Sequence, residues 1–219
     1  MKILAFELSS ARGSIALMET EKQSARAPTA TREGAYAPQT KEFFREWPND
    51  RKNSGPFFEH LAEVQKKFGK SDTIIVGLGP GSYAGNRIAI SAAIGLQTAS
   101  NARLIGFPSI CAIEGETNEY CVIGDARRNS FFFARVRDNN LLEGPDLMAE
   151  AELREKLDKL DPGMSTFSTE DLSQFERAQV RYPSAKALAR LATDSKRNFA
   201  QPPLEPIYLR EPHITVPKK

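Results

Sequence analysis

A chain of 219 residues, 40% hydrophobic and 26% charged, has the make-up of a folded globular protein with one large or two small cores, which excludes a disordered or fibrous chain. Lys and Arg number 30 against 28 Asp and Glu, too even a balance for binding nucleic acid by bulk charge, so any RNA contact is expected to be shared with a partner. No apolar run approaches the roughly 20 residues of a bilayer-spanning helix, residues 1–7 meet an acid too early for a secretory leader, and Cys111 and Cys121 match no CxxC or metal spacing. The expectation is a soluble, cytoplasmic protein with two reduced thiols and no membrane contact.

Residues 3–8 are a short apolar run ending in Ser9-Ser10, and residues 14–18 resume it after Arg12-Gly13, the pattern of a hairpin. Residues 20–55 turn polar and carry Pro28, Pro38 and Pro48, broken by Phe43-Phe44-Arg45-Glu46-Trp47; they read as a long loop with one edge strand. Over residues 56–68, Phe57, Phe58, Leu61, Val64 and Phe68 recur near helical spacing, with Pro56 suited to the first turn and Gly69 to the stop, which predicts an amphipathic helix. A β-branched strand at 73–76 leads through Gly77-Leu78-Gly79-Pro80-Gly81-Ser82-Tyr83 into an Ala-rich helix over 84–102.

Strands are predicted at 104–105 and 120–123, the latter passing through Asp125-Ala126-Arg127-Arg128-Asn129 into 130–136 as a second hairpin. After Asn140 the chain reads as helical and charged over 148–160, then irregular, with a small helix at 183–193 and an extended or strand-like tail at 206–210. Residues 3–17 and 121–136 share an order: apolar strand, acid (Glu7 or Asp125), polar turn with an arginine (Arg12 or Arg127), second strand. That is a weak internal repeat.

The glycine turn is the sharpest local signal, because glycines between a strand and a helix let backbone amides approach an anion at the helix start. Asn86-Arg87 stands where a P-loop has Lys-Ser/Thr, and no third glycine completes GxGxxG. A phosphate cradle and a tight turn for close helix packing are equally compatible with it. The only histidines, His60 and His213, are too far apart in sequence to form a helical metal pair, so no metal site is assigned. Ser9, Ser10 and Ser82 lie in no GxSxG elbow and have no His partner by motif, and no catalytic residue is assigned.

The stretch GLGPGSYAGNRIAISAAIGL at 77–96 resembles the hallmark of the TsaB (YeaZ) family, G-x-G-P-G-S-[FY]-[TA]-G-x-R-I-G followed by a small-residue helix. The likeness extends to residues 3–10, to Asp125-Ala126-Arg127 and to Pro206-Ile207-Tyr208-Leu209-Arg210, and leaves out residues 20–55 and 139–180. Glu7 departs from the family's usual Asp, and Ser130 stands where an acid is common.

The resemblance implies an α/β fold of the actin-like ATPase superfamily, two RNase H-like subdomains related by duplication. Here these are residues 1–106 and a smaller 107–219, with the last helix and tail free to return to the first. It implies a non-catalytic scaffold subunit without cofactor, paired with a TsaD-like catalytic paralogue and served by a TsaE-like ATPase. That assembly transfers threonylcarbamoyl to the tRNA adenosine following the anticodon, and tRNA is met only through the complex. A homodimer is the alternative state of the free chain. The family's partner surface then falls on Phe58 and Leu61 of the first helix and Arg87, Ala89, Ala92 and Ala93 of the second. Gly79, Gly81, Ser82 and Gly85 form the glycine turn, expected to act through architecture. The competing reading is an ATP-hydrolysing or phosphotransfer enzyme on the same fold.

Overall fold

The computed structural model describes residues 1–20, 41–49, 53–115 and 117–210. They form two five-stranded mixed sheets. In the first, β1 (Lys2–Glu7) pairs antiparallel with β2 (Arg12–Glu19), which pairs antiparallel with β3 (Lys41–Pro48) at the edge. On its other side β1 pairs parallel with β4 (Thr73–Gly77), and β4 with β5 (Arg103–Phe107). In the second sheet β6 (Glu119–Asp125), β7 (Ser130–Arg137) and β8 (Asn140–Ala149) make the antiparallel run, and β9 (Ser165–Ser168) and β10 (Ala178–Val180) add on in parallel. The two strand orders, β3-β2-β1-β4-β5 and β8-β7-β6-β9-β10, are the same order used twice. The duplication seen faintly in the hairpins therefore extends over whole sheets.

Local chemistry explains the helices. In α1 (Gly55–Phe68), Pro56 occupies the first turn, where its missing amide costs nothing, and Gly69 ends the helix at φ 69°. Its Phe57 and Val64 are buried. In α2 (Tyr83–Ser100), the Ser82 hydroxyl caps the first turn by accepting from the Gly85 amide at 3.2 Å, and Asn101 closes the helix in the left-handed region. The third helix, α3 (Glu150–Asp158), follows the same position in the second repeat; Glu152 Oε2 accepts from the Ala149 amide at 2.9 Å, and the acids of its first turn suit the positive helix end.

Two expectations for the second half are corrected. Residues 140–149 are a strand, where the sequence reads as turning helical after Asn140, because β8 is an edge strand with mostly exposed side chains and so lacks an apolar alternation. The stretch read as irregular contains β9 and β10. β9 is Ser-Thr-Phe-Ser, with Thr166 and Ser168 buried, so hydropathy carries no strand signal there.

Apolar layers lie on both faces of each sheet. The outer face of the first sheet (Leu4, Phe6, Ile74, Val76) packs on α1 and α2. The outer face of the second (Cys121, Ile123, Phe131, Phe133) packs on Leu153 and Leu157 of α3. Between the sheets one continuous cluster joins Ile3, Ala5 and Ile105 to Val122, Ala134 and Phe167 through α4 (Ala185–Leu191). The start of α4 is tied to the first sheet by the Ala185 amide donating to Ser14 Oγ at 2.9 Å. Beyond α4, Ala200 bridges Gly106, and Leu204 enters the core of the first sheet. The tail is extended without ladder pairing, its Ile207 amide donating to the Leu78 carbonyl at 2.8 Å.

Because Leu188 of α4 is fully buried in the cluster shared by both sheets, Leu188→Ala should cost about 2–5 kcal/mol. Urea unfolding followed by tryptophan fluorescence and by circular dichroism should show both signals shifting together to lower urea, since the cavity opens between the two lobes.

Candidate functional site

The glycine turn carries the chain from the end of β4 to the start of α2, and its backbone lies directly on the connection between β1 and β2. A Cβ at Gly81 would fall 2.1 Å from the Ser9 carbonyl oxygen, and one at Gly85 would fall 2.0 Å from the Leu8 carbonyl oxygen. Gly79 sits at φ +90°, a conformation side chains rarely adopt. The Ser82 amide donates to the Ser9 carbonyl at 2.6 Å, and Asn49 Nδ2 holds the Leu8 and Ser10 carbonyls at 3.2 and 2.9 Å. Gly79 N donates to Ser109 Oγ at 2.9 Å, and Asn86 N to the Ser82 carbonyl at 3.0 Å. The amides of Gly79, Ser82, Gly85 and Asn86 are thus committed inside the protein, while those of Gly81, Tyr83 and Ala84, at the cleft, donate to no acceptor among the described residues. An anion cradle needs the first four free as well and finds carbonyl oxygens beside them instead.

Behind the turn lies Glu7, fully buried at the end of β1. Its Oε1 accepts from the Ser9 amide at 2.7 Å, while Oε2 has no hydrogen-bond partner among the described residues. Gly77 has no side chain because this carboxyl occupies the space: a Cβ there would lie 1.8 Å from Glu7 Oε2. Burial raises the Glu7 pKa above the ordinary carboxylate range, offset only in part by the Ser9 and Ser109 hydroxyls and the Ser9 amide. The neutral acid is the form this site favours.

A cleft of about 600 Å³ separates the glycine turn from the second sheet, with Gly81, Ser82 and Tyr83 on one wall and Asp125, Arg127 and Glu170 on the other. Arg127 Nη1 meets Asp125 Oδ2 at 3.0 Å, and Glu170 Oε1 accepts from the Asp125 amide at 2.8 Å. Tyr208 and Arg210 of the tail also line this cleft.

The residues expected to meet a partner divide. Phe58 is 49% exposed on α1, Leu61 is half-buried against the core, and Arg87 is exposed on α2 with Ala92 half-buried beside it. Ala89 and Ala93 are fully buried with Leu4, Ile74 and Leu104. They let α2 approach its own sheet and have no surface to offer, so their placement in a partner surface is corrected. The outward face of α2 instead carries Ser91, Ile94 and Thr98, with Ile94 46% exposed. Ile94 is absent from the expected surface, although its helical spacing from Arg87 selects it once Ala89 and Ala93 are turned inward.

His60 lies 5.0 Å from the Trp47 ring and 3.7 Å from Glu63 Oε2 on the surface of α1, a setting that does not fit a histidine-ligated metal. His213 lies outside the described residues. Among the described residues no three His, Cys, Asp or Glu side chains gather as a metal site. Burial pushes the Cys111 thiol up to about 12 and the Cys121 thiol up to about 11, so neither is a nucleophile near neutral pH. No helix among the described residues is long and apolar enough to cross a membrane.

The family model described as TsaD, tRNA N6-adenosine threonylcarbamoyltransferase, matches residues 56–210. The chain belongs to that family. An uncharacterized relative from Mycobacterium tuberculosis, Rv3421c, is 30% identical over 156 residues, covering 69% of this chain and 70% of its own. YeaZ from Pseudomonas aeruginosa superimposes with a TM-score of 0.67 at 17% identity, over 95% of this chain and 99% of its own. A second Pseudomonas aeruginosa structure, an uncharacterized protein with similarity to peptidase YEAZ, gives 0.66 at 17% over the same shares. At that identity the likeness speaks for the fold, and it covers both lobes. The family member is TsaB-like, as its glycine-turn motif indicated, and its paired sheets are of the actin-like, RNase H-like kind.

Two outcomes are expected from the packing of the turn. Gly81→Ala drives a methyl group into the Ser9 carbonyl and should destabilise the chain by about 2 kcal/mol or more, read as a lowered urea midpoint. Glu7, with its folded pKa raised, contributes stability that is fully present below about pH 4.5, the ordinary value, and is lost as pH rises through the folded value. Glu7→Gln keeps the shape without the ionisation, so the urea midpoint of the variant should fall less between pH 5 and pH 8 than that of the parent.

Proposed function

We propose that the chain is the non-catalytic scaffold subunit of the cytoplasmic assembly that transfers threonylcarbamoyl to a tRNA adenosine, paired with a TsaD-like catalytic paralogue and served by a TsaE-like ATPase. Membership of the threonylcarbamoyltransferase family supports the choice of modification. The observation that carries the non-catalytic part is the nesting of the glycine turn on the Leu8 and Ser9 carbonyls. Four of the turn's amides, those of Gly79, Ser82, Gly85 and Asn86, are spent on the fold, and the acid at the end of β1 is sealed in the core, where it cannot reach a metal-bound nucleotide.

The outer faces of α1 and α2 supply the partner surface on this reading. Phe58, Ile94 and Tyr83 are large apolar side chains left 46–49% exposed on these two helices, with Leu61 half-buried on α1 and Ile88 on α2. Aromatic side chains that become fully buried on association carry the largest share of interface energy, about 2–4 kcal/mol each when truncated.

Reconstituting the tRNA modification from the purified paralogue, ATPase and this chain tests the function: product should require the chain, while the chain alone should turn over no ATP. Phe58→Asp should leave the melting temperature within a few degrees of the parent and weaken paralogue binding about ten-fold or more in calorimetry. ATP turnover by the homogeneous chain, abolished by Gly81→Ala, would assign it phosphotransfer instead.

A further inference from the structure

At the interlobe cleft a line of side chains begins on the proposed partner surface, at Tyr83 and Arg87, and runs beyond it. Tyr83, the first residue of α2, and Tyr208, in the tail, are 48% and 43% exposed and lie ring to ring, with centroids 5.4 Å apart and planes 33° apart. The Arg87 guanidinium lies 5.1 Å from the Tyr83 ring centroid and donates to its hydroxyl. On the other side of Tyr208, Arg210 Nη2 donates to the Arg127 carbonyl at 3.4 Å. This brings it to the turn Arg127-Arg128-Asn129, all three at positive φ. The order across the cleft is therefore arginine, tyrosine, tyrosine, arginine, and an arginine-bearing turn.

Most of the arginines on this ridge are not ion-paired: Arg127 is paired with Asp125, but Arg87, Arg128 and Arg210 have no carboxylate within ion-pair distance among the described residues. The acids nearby are Glu170, which holds the Asp125 amide, and Glu205, close to Tyr208. A chain with a net charge of only +2 has thus collected unpaired arginines around two exposed aromatic rings. Single-stranded nucleic acid selects for this combination, because every base offers a π face to an aromatic ring or guanidinium and every nucleotide brings a phosphate.

We propose that the Arg87–Tyr83–Tyr208–Arg210–Arg128 ridge is a contact for single-stranded RNA, with an unpaired base stacked on the tyrosine pair and the adjoining phosphates met by Arg128 and Arg210. The choice of RNA rests on the tRNA-modification reading; the stacking and charge stand on the geometry. On this basis the subunit touches tRNA itself, at an unpaired segment, rather than only through its partner.

The test uses the heterodimer with the catalytic paralogue. Fluorescence anisotropy measures its affinity for tRNA and for a labelled eight-nucleotide single-stranded RNA over a range of salt. Tyr208→Ala should weaken binding of the oligonucleotide about ten-fold, Tyr208→Trp should retain it, and an RNA duplex of equal length should compete poorly. Arg128→Glu should weaken binding and flatten the slope of log affinity against log salt by about 0.7 for each phosphate no longer neutralised. Both residues are exposed, and both variants should bind the paralogue as the parent does. Unchanged RNA affinity in Tyr208→Ala and Arg128→Glu, or no binding of the oligonucleotide by the parent heterodimer, overturns the proposal. Abolished paralogue binding with RNA affinity intact makes the ridge a protein interface and also overturns it. Should tRNA modification proceed without the chain while these variants still fail to hold RNA, the ridge stands and the scaffold reading falls.

Discussion

The carbonyl oxygens of Leu8 and Ser9 occupy the space that side chains at positions 85 and 81 would need. Backbone against backbone at this distance is possible only with glycine, and it places the first turn of α2 directly over the end of β1. Much of the first lobe depends on that contact. It fixes the rotation of α2, so that Ala89, Ile90 and Ala93 face the sheet and Arg87, Ser91 and Ile94 face outward. It also roofs the end of β1, which leaves Glu7 without solvent and makes Gly77 obligatory beside it. One crowded backbone contact therefore sets both the surface available to a partner and the protonation preference of a carboxyl group in the core.

How much of this is legible in the sequence depends on where each segment sits. β1, β2 and β4 are buried on both faces and read as continuous apolar runs, while α1 announces itself through Pro56, Gly69 and helical spacing. β8 escapes a sequence reading because an exposed edge strand carries no alternation, and β9 because it buries Thr166 and Ser168 rather than aliphatics. The small residues of α2 signal close approach, but composition cannot say whether the approaching backbone is the helix's own sheet or another chain. Ala89 and Ala93 serve the sheet. The tyrosine pair is invisible for a different reason: Tyr83 and Tyr208 meet only because the tail runs back to Leu78, a long-range event with no local signature.

Duplication gave the two lobes the same strand order but not the same chemistry. Glu7 and Asp125 close equivalent strands, β1 and β6, before equivalent turns. Glu7 is sealed beneath the glycine turn with one oxygen unpartnered, whereas Asp125 lies on the cleft wall and pairs with Arg127. The difference traces to the segment after the fourth strand of each repeat. β4 leads into the glycine turn and α2, while the residues between β9 and β10 form no helix that could cover the acid. Equivalent positions thus became a buried acid whose pKa burial raises in one lobe and an acid paired with an arginine at the cleft in the other.

The tail gives this asymmetry a mechanical sense. Its Ile207 amide is bonded to Leu78, next to the glycine turn, and its Arg210 reaches the Arg127 carbonyl in the second lobe. A few residues thereby span the cleft and bring Tyr208 against Tyr83, the residue on which α2 begins. The helix with the outward Ile94 and the ridge with the arginines consequently share their first turn. A ligand on the ridge and a partner on α2 would both act on a segment held in place by the same glycine contact. By linkage, any ordering of that turn by one must favour the other to the same extent. On the proposed scaffold reading, a chain without catalytic chemistry of its own can in this way influence a partner through the rigidity of a single turn.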